Sequence, residues 1–335
     1  MKFENTQVWG FEHAFRGMRN PKNSWHLSDS FDCREMREEC SCCFCDHPTY
    51  GGVNCDGVDI YGNYFAIGPK DMKLALALTN AGPEHRKFLR QIMISVDITA
   101  PLYWWKEFDT YKVATVANST STMHKIQSYP ITRESFEMDD YCSDALTIPV
   151  RHSFTANLEG QDVEYSHIDM VDGWIEYLEN LRLEYNALVQ ALKLPQGDPG
   201  YVKELEARAQ QVWKELIRWL PEGWLQTRTV TMNYETVRAM CSPGQRRFHK
   251  LNEWSGIHTK VKECFISWAR TLPYAKQFIF TDEMPKPTKT LLEKLAESLM
   301  LLGIKMREKN NEIRSIEDIT EDLTKIYVQA FDEQS

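Results

Sequence analysis

Residues 100–125 read APLYWWKEFDTYKVATVANSTSTMHK. The run from Thr115 to Ser121 carries only small or hydroxyl-bearing side chains and one amide, and His124 and Lys125 follow it. Small side chains let a backbone come close to a ligand. Hydroxyls, an amide and backbone N–H groups beside a cation suit a nucleotide phosphate. The plainer reading of the same run is a polar surface loop after a buried strand. A second stretch has metal chemistry in its spacing: Cys33, Cys40, Cys42, Cys43, Cys45 and Cys55 fall close together with His47 among them. Cys40–Cys43 and Cys42–Cys45 both have CxxC spacing, and they overlap, so only one can close as a knuckle. In a reducing compartment this favours a structural zinc over disulfides, held by Cys40, Cys43, Cys55 and one of Cys45 or Cys33, with Cys45 preferred. Free or oxidised thiols are the alternative. Cys142, Cys241 and Cys264 stand alone and read as small buried apolar residues. No GxSxG, GxGxxG or Walker A motif occurs.

These residues need elements to position them. Residues 94–98 (ISVDI) read as a strand that breaks at Pro101. Residues 71–81 read as a helix, and a second helix begins near Pro83 and carries His85-Arg86-Lys87-Phe88. The firmest helix spans residues 168–193, with Ile175, Leu178, Leu181, Tyr185 and Leu188 at helical spacing. Another runs through Leu205, Val212, Leu216 and Trp219 and stops at Pro221, and LPQGDPG turns the chain between the two. RTVTMN (residues 228–233) reads as a strand. Helical patterns resume at residues 234–240 and 252–272, and again after Pro287. Residues 17–25 read as a turn-rich loop. The domains expected are an N-terminal segment 1–63 with a cysteine-rich insert at 33–57, a domain at 64–280 with a helical insertion near 160–220, and a helical tail at 281–335.

In order and spacing these pieces resemble the flavin-dependent thymidylate synthases. That family has a signature RHRxxSxNxxSxR after a strand and a Pro-containing bend, then a distant LP, a strand, an Asn, a helix, an Arg and a His. Here residues 96–101 look like the strand and bend, and residues 104–112 like the helix entering the signature. Leu220-Pro221 matches the LP, Asn233 follows at the family's spacing, and His249 and Glu253 resemble the family's later His and Glu. His85 falls at the spacing of an upstream family His near the flavin. Aligned without gaps, the signature's Arg-His-Arg falls on Thr110, Tyr111 and Lys112. Thr115, Ala117, Thr120 and Thr122 take the places of its Ser, Asn, Ser and Arg, with Asn118 and Ser121 one place away. The shape and polarity of the signature are kept and its guanidinium groups are lost, a change that Lys does not make good. The likeness covers roughly residues 83–270, interrupted around 150–200.

The resemblance implies an α+β fold of that family's α/β type, with extra helices in the middle and at the C-terminus. It implies methyl transfer to C5 of a pyrimidine deoxynucleotide (dUMP to dTMP) with FAD as cofactor and NADPH and methylenetetrahydrofolate as co-substrates. It also implies a homo-oligomer, tetrameric in the family. A different product such as a hydroxymethyl base, or a nucleotide-binding homologue without catalysis, is the alternative that the missing arginines favour. Carried over by position, Arg246 and Arg247 are the catalytic candidates. His85, Lys87, Tyr111, Lys112, Thr115, Asn233 and His249 would hold cofactor. Glu107, Asn118, Ser119, Thr120, Ser121, His124 and Lys125 would hold substrate. Trp104 and Trp105 suit either a pocket wall or the core, and Glu107, which replaces a family Gln, suits a helix face equally.

The whole composition agrees with a globular protein. The 335 residues are 42% hydrophobic and 26% charged, with a net charge of −9. That acidity argues against a polymeric nucleic acid as partner, since such affinity comes mostly from cations facing phosphates. No apolar run approaches the roughly 18 residues of a membrane helix, and MKFENTQVWGFEH lacks a signal-peptide core. A cytoplasmic location is therefore expected.

Overall fold

The computed structural model describes residues 1–32, 65–140, 155–158, 161–164, 170–195, 198–257 and 263–284. The chain divides into two units, Met1–Thr281 and Asp282–Ser335. The tail from residue 285 and the cysteine-rich stretch lie outside the described residues.

A four-stranded antiparallel sheet organises the first unit. Its strands are β1 (Lys2–Trp9), β4 (Met93–Pro101), β5 (Thr115–Ser119) and β8 (Leu225–Asn233), in the order β1-β4-β8-β5. Two further pairs stand apart from it: β2 (Phe31–Asp32) with β3 (Phe65–Ala66), and β6 (Thr155–Leu158) with β7 (Gln161–Glu164). Strand β4 alternates strictly. Ile94, Val96, Ile98 and Ala100 are buried, while Ser95, Asp97 and Thr99 point to the other face. That face is a ladder of hydroxyls across to β8: Ser95 with Thr231 at 3.0 Å, Thr99 with Thr227 at 2.7 Å, and Thr229 donating to Asp97 at 2.5 Å. The sheet thus has one apolar and one polar side, as antiparallel sheets do.

Helices cover the apolar side: α1 (Phe11–Arg19), α2 (Pro69–Asn80), α3 (Leu102–Phe108) and, later in the chain, α7 (Tyr234–Met240), α8 (Asn252–Ser255), α9 (Phe265–Arg270) and α10 (Ala275–Phe278), while the short α4 (Thr122–Lys125) follows β5 and buries none of its residues. Phe11, Phe15, Phe88, Tyr234 and Phe278 pack edge to face or tilted in one part of the core. Trp104, Trp105, Phe108, Trp254 and Phe265 fill another. Trp104 and Trp105 are fully buried, so they are core and not the wall of an open pocket. Buried Asp71 ties α2 to α1, accepting from Arg19 at 2.5 Å and from Ser28 and Ser30. Asp29 caps the start of α2. A side chain at Gly68 would meet that Asp29 at 2.3 Å, which leaves room only for glycine.

Two long helices, α5 (Met170–Lys193) and α6 (Pro199–Arg218), form a helical hairpin, close to the bounds read from periodicity. Leu178 and Leu216 build a second, smaller core with Ile126, Ile131 and Phe136. Polar ties fix the hairpin to that loop. Glu179 accepts from the Ile131 N–H at 2.8 Å, and Arg182 and Asn186 donate to the Gln127 carbonyl.

Four expectations change. The polar run is not a loop: Thr115–Ser119 is strand β5, paired along its length with β8, and α4 follows it. The helix expected near Pro83 is a 3-10 turn, Arg86–Arg90, with His85 just ahead of it. The helix expected at 252–272 is two short pieces, α8 and α9, because Gly256 adopts a left-handed φ of 64° and ends the first. Residues 17–25 are the end of α1 followed by 3-10 turns.

Candidate functional site

The C-terminal half of α3 brings Glu107 to the surface over the aromatic core. The turn after α7 brings back Arg246 and His249. Arg246 donates to Glu107 at 2.7 Å and to the Tyr111 hydroxyl at 3.1 Å. Its guanidinium lies 5.0 Å from the Trp254 ring and 5.6 Å from Tyr111. Trp254 Nε1 also donates to Glu107, at 3.0 Å, and His249 Nε2 stands 3.5 Å from the same carboxylate. His249 Nδ1 accepts from the Leu251 N–H, which leaves Nε2 to face the cluster. Burial pushes the His249 imidazole below its ordinary pKa, against the opposite pull of Glu107, so it is held neutral further into the acid range. Four residues expected at a site (Glu107, Tyr111, Arg246, His249) therefore meet, partly exposed, against aromatic rings. Sequence reading missed Trp254 and Gln245, the latter accepting from Tyr111. Arg247 goes elsewhere: it is buried, donating to the Cys241 carbonyl at 2.8 Å and lying over Phe280. Glu253 is also buried, and the Tyr103 hydroxyl donates to it. Burial raises the pKa of both groups.

A second group gathers at the start of α7. Asn233 ends β8 and caps that helix, accepting from the Thr236 N–H at 2.9 Å. Thr236 also reaches the Val113 carbonyl, and Arg86 Nε donates to both carboxylate oxygens of Glu235, at 2.8 and 2.9 Å. The 3-10 turn bearing Lys87, with His85 just ahead of it, thereby packs against α7. Lys112 and Thr115 flank the Val113 contact. His85, Lys87 and Lys112 are exposed.

The third group lies at the opposite end of β5. Thr120 donates its backbone N–H to Thr227 at 2.9 Å, and Gln226 Nε2 reaches the Thr120 carbonyl. Ser121 caps α4 by accepting from the His124 N–H. Thr120, Ser121 and Lys125 line a cavity of about 1150 Å³ with Lys2, Thr99, Arg133, Phe136 and Trp224 among its other walls. Asn118, Ser119 and His124 are exposed beside it. At about 3.4 Å per residue, β5 separates Thr115 from Ser119 by roughly 14 Å. Arg228 is a guanidinium the sequence reading passed over: it stands opposite Ser119, over the Trp105 ring at 4.2 Å and paired with Asp109. Its signal was one charge inside an otherwise β-branched strand.

Among the described residues no cluster of three or more His, Cys, Asp or Glu could hold a metal. The candidate zinc ligands Cys40, Cys43, Cys45 and Cys55 lie outside the described residues, as do Cys33, Cys42, His47 and Cys142. Cys241 and Cys264 are buried, as expected, and Cys264 also caps α9 through its sulfur. No described helix is long and apolar enough to cross a membrane.

No family model and no curated protein sequence matches the chain. Among solved structures it is similar to flavin-dependent thymidylate synthase ThyX from Helicobacter pylori complexed with FAD and dUMP. The TM-score is 0.45 at 14% identity, over 84% of this chain and 99% of that one. Another structure of that enzyme with FAD and dUMP gives 0.44 at 12%, over 84% and 98%. A UMP/dUMP methylase, PolB from Streptomyces cacaoi, bound with 5-Br dUMP, gives 0.34 at 13%, over 64% and 80%. At these values the likeness is a loose one of mixed α/β architecture.

Proposed function

We propose that this chain binds a pyrimidine deoxynucleotide beside a flavin and transfers a one-carbon unit to C5 of the base. The observation that carries the reading is the meeting of Glu107 and Tyr111 with Arg246 and His249, from two segments 139 residues apart. Arg246 and the neutral His249 offer directed donors beside the flat faces of Trp254 and Tyr111, which suits the polar edge of a pyrimidine. A guanidinium there would face the negative charge that develops on the base as C5 reacts. Donors on the segments that meet α7 suit the anionic end of FAD: His85, Lys87 and Lys112 are exposed, the turn that bears Lys87 packs against α7, and Val113, next to Lys112, accepts from Thr236. When bound, FAD would supply the hydride that turns a transferred methylene into methyl. Methylenetetrahydrofolate would be the one-carbon donor and NADPH the reductant. The hydroxyls of Thr120 and Ser121, with Lys125, would receive the nucleotide phosphate. A homo-oligomer, and a structural zinc on Cys40, Cys43, Cys45 and Cys55, belong to the same reading.

A second reading, a nucleotide-binding protein without this catalysis, draws support from the two arginines. Arg247 is buried against Phe280, and the charge of Arg246 is already answered by Glu107. One experiment separates them. The purified full chain, incubated with FAD and desalted, should be yellow, with absorbance near about 450 nm (the oxidised flavin), and should oxidise NADPH when dUMP and methylenetetrahydrofolate are present. Flavin uptake without product on any pyrimidine deoxynucleotide would favour the second reading. A colourless protein that ignores added FAD would end the first.

A further inference from the structure

The hydrogen bonds of Glu107 fall on one of its two oxygens. Arg246 Nη1 donates to Oε2 at 2.7 Å, Trp254 Nε1 donates to the same oxygen at 3.0 Å, and His249 Nε2 stands 3.5 Å from it. Oε1 has no partner among the described residues, and a carboxylate oxygen has lone pairs to offer, so Oε1 is an unused acceptor. Arg246 also has capacity left. Its Nε donates to the Tyr111 hydroxyl and its Nη1 to Glu107, while Nη2 has no partner among the described residues. His249 adds a further donor. Its Nδ1 accepts from the Leu251 N–H, so the neutral ring carries its proton on Nε2, and at 3.5 Å that proton is not committed to Glu107. The Glu107, Arg246 and His249 side chains are 32%, 16% and 17% exposed, so a ligand can reach them.

The order of these groups decides what they fit. The protein donors crowd Oε2, and Arg246 reaches the carboxylate by one prong only. Oε1 therefore stands at one end of the polar row, with the free donors on its Oε2 side: an acceptor, then donors. Both pyrimidines offer one donor and two acceptors along their pairing edge, in different order. Cytosine begins with its 4-amino donor and continues with the acceptors N3 and O2. Uracil has the acceptor O4 at that end and its one donor, N3–H, in the middle. An acceptor at the end of the row matches cytosine. Uracil held the same way would set O4 against Oε1, two acceptors with no proton between them.

We propose, resting on the reading that this cluster meets the base, that Glu107 selects a 4-aminopyrimidine, so that the nucleotide of this site is dCMP in preference to dUMP. Oε1 accepts from the 4-amino group, and Arg246 Nη2 and His249 Nε2 donate to N3 and O2. Arg246 Nη1 and Trp254 Nε1 position the carboxylate: by holding Oε2 they fix which oxygen faces the base. The same two donors dictate what an amide does here. In Glu107→Gln only the carbonyl oxygen can accept from them, so it keeps the Oε2 position and the NH2 group takes the place of Oε1. The acceptor becomes a donor, and the match to the 4-amino group is lost.

The test is isothermal titration calorimetry of the full chain, with FAD added, against dCMP and dUMP, with far-UV circular dichroism as the folding control. The parent should bind dCMP at least about tenfold more tightly than dUMP, the lower end of what one well-placed base contact discriminates. Glu107→Gln should bind dCMP at least about tenfold more weakly than the parent does and dUMP no more weakly, so that the preference disappears or reverses. Glu107→Ala, with neither donor nor acceptor, should bind the two alike, and it decides the matter if the amide variant does not fold. A parent that binds dUMP as tightly as dCMP, or more tightly, overturns this proposal and leaves the proposed pyrimidine chemistry standing. A preference for dCMP that survives in the folded variants overturns the assignment to Glu107. No affinity for either nucleotide would end the proposed function, and this inference with it.

Discussion

Glu107 and Glu253 show how two carboxylates in one region receive different work. Glu107 is answered by a guanidinium, an indole N–H and an imidazole. Glu253 has a phenol and, among the described residues, no cation, and burial raises its pKa above the ordinary 4.5. The consequence for stability has a definite sign. A carboxyl that holds its proton more tightly when folded favours the folded state at low pH. That advantage is lost as pH rises from 4.5 through the raised native value. His249 runs the other way: its native pKa lies below 6.5, so its contribution is lost as pH falls below that value. Glu253→Gln keeps an acceptor for Tyr103 and cannot ionise. Its stability relative to the parent should therefore rise as pH goes up from 4.5 and level off once the parent carboxyl is ionised. Urea midpoints for both proteins from pH 4.5 to 8 would check it, and a difference independent of pH would show that Glu253 is not desolvated. Such roles were only half legible in the sequence. Glu107 read as well as a helix-face charge, because the Arg246 that fixes its role lies 139 residues away and one sequence does not display non-local pairs.

Strands and helices with their own periodicity were legible; those shaped by neighbours were not. Strand β4 announces itself by alternation, α5 by helical spacing. Strand β5 has no such pattern, and TVANS becomes a strand because β8 offers a ladder, which is why strand propensity depends on context. Strand β1 was hidden by the shift at Asn5, which breaks its alternation. Asn233 was found through spacing, yet its visible work is local: it caps α7. Asn233→Ala should cost about 1 kcal/mol of stability, within the roughly 0.5–2 kcal/mol range of lost N-caps, while Asn233→Asp should cost little. Urea denaturation measures both. If Asn233 also binds flavin, the Asp variant should retain the fold and hold FAD less tightly, since it exchanges an amide donor for a negative charge. Equal FAD affinity in that variant and the parent would leave Asn233 with its capping role alone.

At the scale of the first unit, two cores serve the two ends of the sheet. The large one, beneath the apolar face, supports the Glu107–Arg246 cluster and the start of α7. The smaller one joins α5 and α6 to the wall formed by Ile126, Ile131 and Phe136, and Ile126 and Phe136 also line the cavity that takes in Thr120, Ser121 and Lys125. Leu216 is fully buried in that small core. Leu216→Ala should cost about 2–5 kcal/mol, as large-to-small core changes do. A core this small has few neighbours with which to share the loss, so the effect should stay local. Hydrogen exchange should quicken in α5, α6 and residues 126–136, while the amides that join β4 to β8 keep their protection. In a protein loaded with FAD, the variant should then bind dUMP more weakly and retain its flavin, because the donors proposed for flavin rest on the other core. Flavin loss in step with dUMP affinity, or equal acceleration of the β4 and β8 amides, would mean that the two cores melt as one body and that the helical hairpin is integral to the sheet's stability.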